Sequence, residues 1–232
     1  MNKVKQILDK NSHLHYFSNG YNRILNSTIE FDKISKVGDK VLDVGGTYEK
    51  HNKQQSFELI FKAVKDIDYH CVNRGMLDMR KDMLNYEDET FDIVMSHESI
   101  EHFWLMKEAG MVDWSGMINF WKESFRVLKK NGMFLVSTRN RMCPVAIEKL
   151  RRGKPLMCSQ LKVDQSSHIQ EMGPIDFIEL VDATKLFTNY GMYSIKSRDN
   201  DFHHRIPQIE AFIERKLLQE ELYDTIYFKS KK

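Results

Sequence analysis

The sequence predicts an α/β fold built on a doubly wound, mostly parallel β-sheet, and three observations support this prediction. A short β-branched run, Lys40–Val44, is followed by two glycines and then by an amphipathic helical pattern. A second run, Phe91–Ser96, is apolar enough to be a strand buried on both faces of a parallel sheet. Strand and helix patterns then alternate toward the end of the chain, which favours helices on both faces of one sheet.

The elements of the amino-terminal half follow from this pattern in order. Residues 1–36 predict one or two short helices with a break near Gly20. The helix from about Asn52 to Lys65 is expected to lay one face on the sheet, because its apolar residues fall at i, i+3, i+4 and i+7. Tyr69–Asn73 is a short second strand. Too few residues separate this strand from the Met76–Arg80 stretch, the place of a third strand, for a full crossover. The helix between the second and third strands is therefore predicted to be shortened or missing.

The carboxyl-terminal half predicts one more complete helix–strand unit and then four further elements. Asp113 can cap a helix that Asn131-Gly132 ends, and Met133–Ser137 forms the strand that follows. The inward stripe of that helix comprises Met117, Trp121, Ser124, Phe125 and Leu128. The remaining elements are a helix, a strand, a helix and a strand, at Ile175–Tyr190, Met192–Arg198, Pro207–Glu220 and Tyr223–Ser230.

The composition restricts the class of protein. The 232 residues are 41% hydrophobic and 29% charged, which predicts a soluble protein with a single domain over residues 37–232 behind the helical segment 1–36. A net charge of +2 gives no strong basic field, so no nucleic-acid partner is expected. No apolar run approaches the roughly 20 residues that span a bilayer, so no membrane partner is expected either. Three scattered cysteines and a polar amino terminus favour a cytoplasmic location.

Three segments in order carry a resemblance to a known family. The first is Asp43-Val44-Gly45-Gly46-Thr47, the second is the acidic approach Asn85–Val94 to an apolar strand, and the third is the helix and turn Phe120–Gly132. Together they resemble the class I, Rossmann-like S-adenosylmethionine (SAM)-dependent methyltransferases, whose first motif is acidic-x-Gly-x-Gly. In this sequence Thr47 replaces the second glycine, or a one-residue deletion displaces it to Gly46. The resemblance implies a sheet of the seven-stranded type and SAM as the cofactor.

The resemblance also implies which residues contact SAM. Asp43 would hold the glycine loop and face the methionine end of the cofactor, with Gly45 and Gly46 passing close to it, although a plain strand-end turn has the same pattern. Asn73 stands where the family places an acid on the ribose, and an amide accepts such a hydrogen bond more weakly. Asp78 and Met79 resemble the adenine-contacting motif, with Asp82-Met83 as an alternative register. Solvated loop acids would have the same pattern.

The residues that follow the strand Phe91–Ser96 are the candidates for the reaction itself. Ser96 is expected at the cofactor, because ligands of such folds bind outside the carboxyl ends of the strands. His97 is the first candidate for a general base or a substrate contact, with an unshifted pKa near neutrality. A histidine that packs against the cofactor without transferring a proton is an equal alternative. Glu101-His102 is interpreted as a structural helix start.

Other candidates lie in two segments that carry no specific motif. Aromatic and histidine side chains of the amino-terminal segment could form a lid over the substrate or a simple packing helix: His13, His15, Tyr16, Phe17 and Tyr21. His168, Gln170 and Glu171 lie in the long connection after the strand Met133–Ser137, where substrate contacts often gather. No metal site is expected, since His203-His204 is too isolated to hold one.

The function implied by the resemblance is methyl transfer to an oxygen or nitrogen of a small-molecule acceptor by in-line attack, as part of small-molecule metabolism. Such a reaction needs alignment and a dry site, because SAM is already activated. A catalytically silent SAM-binding or scaffold subunit is the alternative from another class. A nucleic-acid methyltransferase is less favoured, because the sequence lacks an Asn/Asp-Pro-Pro-aromatic motif. A nicotinamide enzyme is disfavoured because Gly-x-Gly-x-x-Gly is absent. The acceptor's identity and the oligomeric state have no readable motif.

Overall fold

The computed structural model defines most of the sheet and the helices that pack on it. It describes residues 3–10, 21–46, 57–72, 77–103, 105–106, 112–141, 143, 151, 172–195 and 225–232. The described strands are β1 (Lys40–Val44), β2 (Asp68–Val72), β3 (Phe91–His97), β4 (Leu105–Met106), β5 (Val112–Asp113), β6 (Leu128–Arg139), β7 (Tyr190–Ile195) and β8 (Thr225–Lys231). The described helices are α1 (Lys3–Lys10), α2 (Tyr21–Ile34), α3 (Phe57–Val64), α4 (Ser115–Val127) and α5 (Pro174–Thr184), with one 3₁₀ turn at Ile100–His102.

Six of these strands form one sheet in the order β2-β1-β3-β6-β8-β7. The four neighbouring strands β2, β1, β3 and β6 pair in parallel, and β8 runs antiparallel to both of its neighbours. This confirms the predicted α/β fold with a mostly parallel sheet. In the register, Asp43 of β1 lies opposite Cys71 of β2 and Met95 of β3, so the carboxyl ends of these three strands meet at one edge.

Helices cover both faces of the sheet, as the alternating pattern predicts. On one face, Trp121 of α4 is fully buried against Phe134, Phe187 and Phe228. On the other face, Phe31 of α2 and Phe61 of α3 pack against each other over the strands. Aromatic side chains therefore fill both layers, and their burial supplies much of the apolar stabilisation of the fold. No helix among the described residues is long and apolar enough to cross a membrane.

The predicted end of α4 is wrong, and the reason is a bulge in the next strand. The helix ends at Val127 and β6 begins at Leu128, before Asn131-Gly132. The pairing of β3 with β6 shifts between Phe91 and Ile93, and Asn131 adopts a positive φ of 66° inside the shifted segment. Asn131-Gly132 therefore marks an irregularity within a strand. The N-cap residue of α4 is Trp114, and Asp113 precedes it at the end of β5; the Asp113 carboxylate still accepts a hydrogen bond from the Ser115 N–H at 2.9 Å.

The helix predicted over Ile175–Tyr190 is also too long. The described helix α5 ends at Thr184, and Lys185 follows in the left-handed conformation with φ 57°. Glycine is the usual residue at such a helix end, so a lysine gives no signal in the sequence. The strand that follows begins at Tyr190, two residues before the predicted start. The predicted helix Pro207–Glu220 lies outside the described residues.

The chain between β2 and β3 departs from a full crossover, as expected, but residues 77–80 of the Met76–Arg80 stretch, where the third strand was expected, do not form a strand. The described part of this connection, residues 77–90, forms turns and contains neither a helix nor a strand. The described sheet therefore has six strands, with β2 at one edge. Hydrogen bonds attach this turn segment to α4, because Asn119 donates to the carbonyls of Met79 and Asp82.

Candidate cofactor site

A tightly packed glycine turn ends β1. Gly45 has a φ of +90°, and its N–H donates to the Val72 carbonyl of β2 at 2.6 Å. A Cβ atom at this position would lie 2.4 Å from the Ser99 Cβ and 2.6 Å from its Oγ. The Ser99 hydroxyl in turn donates to the Gly45 carbonyl at 3.2 Å. Both the backbone angle and the space that Ser99 fills therefore require glycine here.

Asp43 lies under this turn as a buried, half-satisfied carboxylate. It is 1% exposed, and its Oδ2 accepts a hydrogen bond from the Tyr69 hydroxyl at 2.7 Å. Its Oδ1 has no hydrogen-bond partner among the described residues. Burial raises the pKa of Asp43 to about 7, and the Tyr69 hydrogen bond opposes part of that rise. A buried carboxylate oxygen without a donor is costly, so a donor that reaches Oδ1 would be favoured. Oδ1 is closed to solvent, so a ligand reaches it only when the turn above it moves.

Ser96 is placed to support the turn. Its hydroxyl is buried and donates to the Val44 carbonyl at 2.7 Å, which links β3 to the end of β1. Its backbone lies at the predicted edge, one residue before the end of β3. The predicted cofactor contact of Ser96 stays a prediction, and its side chain already has an internal acceptor.

His97 ends β3 in an apolar environment. Its Nδ1 lies 2.9 Å from the Ser137 hydroxyl of β6, and its ring centroid lies 6.0 Å from Phe57 and 5.9 Å from Phe61. Its Nε2 is buried without a hydrogen-bond partner among the described residues. Burial lowers the pKa of His97 to about 3. The expected unshifted pKa is therefore wrong: the imidazole is neutral at physiological pH, and does not titrate near neutrality.

Two carboxylates follow directly after His97. Glu98 has a positive φ of 50°, and Glu101 is buried in the 3₁₀ turn. The Thr138 hydroxyl of β6 donates to Glu101 Oε2 at 2.9 Å. Burial and the nearby charge of Glu98 raise the pKa of Glu101 to about 7, while the charge of Arg139 opposes the rise. The predicted structural role of Glu101 agrees with this hydrogen bond, which ties the 3₁₀ turn to β6.

Asp78 and Met79 belong to the turn segment that packs on α4. The two carboxylate oxygens of Asp78 accept hydrogen bonds from the Arg80 guanidinium at 2.8 and 2.9 Å, which contributes to a lowered pKa for Asp78. Met79 is buried in the core. In the alternative register, Asp82 accepts the Asp78 N–H at 2.8 Å, whereas Met83 is exposed. An adenine contact through Asp78 would have to share its carboxylate with Arg80.

Several predicted residues lie outside the described part of the chain, so the structure does not place them. They are Thr47, Asn73, His13, His15, Tyr16, Phe17, His168, Gln170, Glu171, His203 and His204. Tyr21 begins α2, but its side chain is not described. The structure thus brings together Asp43, Gly45, Gly46, Ser96 and His97 at one edge, with Asp78 and Met79 in the turn segment after β2.

The sequence pattern did not predict three residues that contact Asp43, Gly45 and His97. Tyr69 bonds Asp43, Ser99 packs against Gly45, and Ser137 bonds His97. Strand alternation could have placed Tyr69 on the Asp43 face of the sheet, because residues two apart on a strand share a face. The pairing of His97 with Ser137 depends on the register of β3 with β6, which the bulge near Asn131 conceals.

Comparisons with known proteins agree with this geometry. A family model described as a methyltransferase domain matches residues 58–136, from α3 to β6. A SAM-dependent methyltransferase and possible histamine N-methyltransferase from Thermotoga maritima is 14% identical, with a TM-score of 0.51 over 98% of this chain and 99% of its own. A SAM-dependent methyltransferase from Archaeoglobus fulgidus is also 14% identical, with a TM-score of 0.51 over 100% of both chains. A comparison with curated proteins gave no match.

The two structural similarities show a shared fold, which is that of the class I methyltransferases. The domain match over residues 58–136 agrees with the methyl transfer from SAM that is expected from the sequence. The unpaired buried Oδ1 of Asp43 and the closely packed Gly45 turn fit such a cofactor, which presents N–H donors and needs close backbone approach.

Proposed function

We propose that this chain transfers the methyl group of SAM to an oxygen or nitrogen of a small molecule, at a site formed by the carboxyl ends of β1, β2 and β3. The observation that carries the proposal is the unpaired Oδ1 of Asp43 beneath the Gly45-Gly46 turn. Asp43 binds the methionine end of the cofactor, Gly45 and Gly46 let it approach, and Asn73 contacts its ribose. Ser96 fixes the turn from β3.

Asp43 is suited to this role by charge as well as by position. With a pKa of about 7 it is about half ionised at pH 7 and largely ionised above about pH 8, and the ionised form can balance a positive group of the cofactor. The two glycines let the turn pack directly on Ser99 and on Asp43, which holds the turn over the carboxylate. When bound, SAM supplies a methyl group that is already activated by its sulfonium. The remaining task of the protein is to align the acceptor and exclude water.

His97 contributes a hydrogen bond at the end of β3. Its neutral imidazole is held by Ser137, which leaves Nε2 for a ligand. A group with a pKa of about 3 is a weak base, so a positioning contact to the acceptor or cofactor is favoured over proton removal. This contact agrees with the second interpretation of His97 from the sequence.

The low net charge of the chain favours a small-molecule acceptor over nucleic acid. The net charge of +2 over 232 residues gives no extended basic surface to neutralise a phosphate backbone. Apolar groups at the end of β3, such as Phe57 and Phe61 beside His97, instead favour a dry and enclosed reaction site.

The experiment is an assay of S-adenosylhomocysteine formation with the purified protein. SAM is incubated with pooled small-molecule amines, alcohols and phenols, and separately with RNA and DNA. The proposal predicts product formation with at least one small-molecule pool and none with nucleic acid. Turnover on nucleic acid alone would contradict the acceptor class. Tight SAM binding without turnover on any pool would favour the silent SAM-binding subunit.

A further inference from the structure

Asp43 accepts a hydrogen bond from Tyr69, which lies on the neighbouring strand β2. Tyr69 lies on β2 opposite Val41 in the parallel register, two residues before Cys71, which lies opposite Asp43. Its hydroxyl donates to Asp43 Oδ2 at 2.7 Å, and the phenol is itself buried. Burial and the charge of Asp43 raise the pKa of Tyr69 well above its usual range. The phenol therefore stays protonated and remains a donor at any physiological pH.

Gly46 covers this pair. A Cβ atom at Gly46 would lie 2.4 Å from Asp43 Oδ2, 2.5 Å from its Cγ and 3.0 Å from the Tyr69 hydroxyl. The requirement for glycine at this position thus comes from the space that the Asp43–Tyr69 pair occupies. This gives a physical reason for a second glycine at position 46, whereas the family motif places it one residue later.

We propose that Tyr69 is the positioning residue of the cofactor-binding carboxylate. It holds Oδ2 of Asp43 so that Oδ1 remains the free acceptor, and it favours the ionised form that binds the cofactor. This inference rests on the proposed role of Asp43 in SAM binding. Tyr69 acts through Asp43 and has no contact with the reacting atoms.

The surroundings of Asp43 leave this stabilising role to Tyr69. The other ionisable groups on the described elements packed around it are Cys71 on β2, Glu58 on α3 and His97 on β3. Burial raises the pKa of the Cys71 thiol, so it is uncharged. The charge of Glu58 acts in the same direction as that of Asp43, since it too raises the pKa of Tyr69. His97 is neutral, so within the described part of the chain the Tyr69 hydroxyl is the group that favours ionised Asp43.

The test is the pH dependence of SAM affinity in Tyr69→Phe, measured by calorimetry from pH 6 to 9. In the wild type, affinity is expected to rise with pH until Asp43 is ionised. Removing the hydroxyl keeps the ring but raises the pKa of Asp43, so the midpoint should move upward by about one pH unit. Affinity at pH 7 should then fall by roughly threefold to tenfold, and the difference should shrink toward pH 9. An unchanged profile, or a loss that is equal at every pH, would overturn the inference.

Two control variants separate this inference from the proposed site itself. Tyr193→Phe removes another hydroxyl that donates to a carboxylate, that of Glu30, and should leave SAM affinity unchanged. Asp43→Asn should weaken binding, and adding Tyr69→Phe to it should cause no further loss, because the two residues act as one unit. If Asp43→Asn binds SAM normally, the proposed site is wrong. If Asp43→Asn weakens binding but Tyr69→Phe matches the wild type, only the role of Tyr69 is wrong.

A second variant keeps the inference testable if Tyr69→Phe does not fold. Gly46→Ala would place a methyl group against Asp43 Oδ2 and the Tyr69 hydroxyl, and so separate the pair. It should produce the same upward shift of the affinity profile. A folded Gly46→Ala protein with the profile of the wild type would contradict the inference.

Discussion

The carboxyl group of Asp43 combines deep burial with one hydrogen bond from Tyr69. In the folded protein its pKa is about 7, against 3.8 for an ordinary aspartate. The folded state therefore disfavours ionised Asp43, so ionisation of this carboxyl group lowers the stability of the ligand-free protein. The residue that we propose for cofactor binding should then destabilise the protein when the cofactor is absent.

This cost predicts the pH dependence of Asp43→Asn. Because the folded pKa is raised, the stability that protonated Asp43 contributes is present in full below about pH 4 and is lost as the pH rises to about 7. The loss in that window is about 1.4 kcal/mol per pH unit. In urea unfolding, the free energy of unfolding of Asp43→Asn relative to that of the wild type should increase by roughly 2–3 kcal/mol from pH 5 to pH 8. Glu101 titrates in the same window but is present in both proteins, so its contribution cancels. Parallel stability curves would contradict the assigned pKa of Asp43.

His97 supports a second prediction at this scale. Replacing it with glutamine should lower turnover by roughly tenfold to a hundredfold, the effect of one lost hydrogen bond of about 1–3 kcal/mol. The shape of the pH–rate profile between pH 6 and 9 should not change, because the pKa of His97 is about 3. His70→Gln on β2 is the matched control, since His70 is partly exposed and pairs with Asp68. Loss of a titration near neutrality in His97→Gln would show that His97 is the base after all.

At the scale of elements, one arginine attaches the turn segment after β2 to α4. Arg126 donates to the carbonyls of Leu84 and Tyr86 at 2.9 and 2.8 Å, and to the carboxylates of Glu123 and Asp88. Glu123 is buried and accepts the Leu84 N–H at 2.9 Å. The planar guanidinium satisfies several acceptors at once, which a point charge cannot do. This network holds residues 84–88 against α4.

Arg126→Lys is therefore expected to destabilise the protein although it conserves the charge. The loss of several hydrogen bonds to backbone and to buried Glu123 should cost about 1–3 kcal/mol in urea unfolding. Asp88→Asn is the control, because Asp88 is largely exposed and its pair with Arg126 should contribute less than about 1 kcal/mol. Equal losses for the two variants would show that the buried part of the network does not stabilise this segment.

The elements differ in how well the sequence predicts them. The bounds of β1 agree with the prediction, and β3 extends one residue beyond it, because both strands are apolar runs with clear boundaries. The ends of α4 and α5 were wrong because the chain uses Asn131 in a bulge and Lys185 at a left-handed helix end. In both cases tertiary packing determines the backbone, and a local pattern cannot reveal that.

At the scale of the whole molecule, the topology creates the site. The order β2-β1-β3-β6 brings the carboxyl ends of strands that are distant in sequence to one edge, and Asp43 and His97 arrive there from different strands. The sequence predicted this edge because strand ends followed by polar residues are visible locally. It could not give the pKa of His97 or the partnership of Asp43 with Tyr69. Both depend on burial and strand register, which exist only in the folded protein.

The central claim is that SAM binds over the Gly45 turn, and two matched glycine variants test it directly. Gly45 and Gly38 both have a positive φ, 90° and 84°, so alanine should strain the backbone at each by roughly 1–2 kcal/mol. A Cβ atom at Gly38 meets nothing within 4 Å, whereas one at Gly45 meets Ser99.

Calorimetric titration of SAM into the two folded variants is the deciding measurement. Gly38→Ala should bind SAM as the wild type does. Gly45→Ala should bind it at least tenfold more weakly, or about 1.4 kcal/mol, because the turn must move away from Ser99 and this changes the backbone on which the cofactor is proposed to bind. Wild-type affinity in a folded Gly45→Ala protein, or equal weakening in both variants, would contradict the claim.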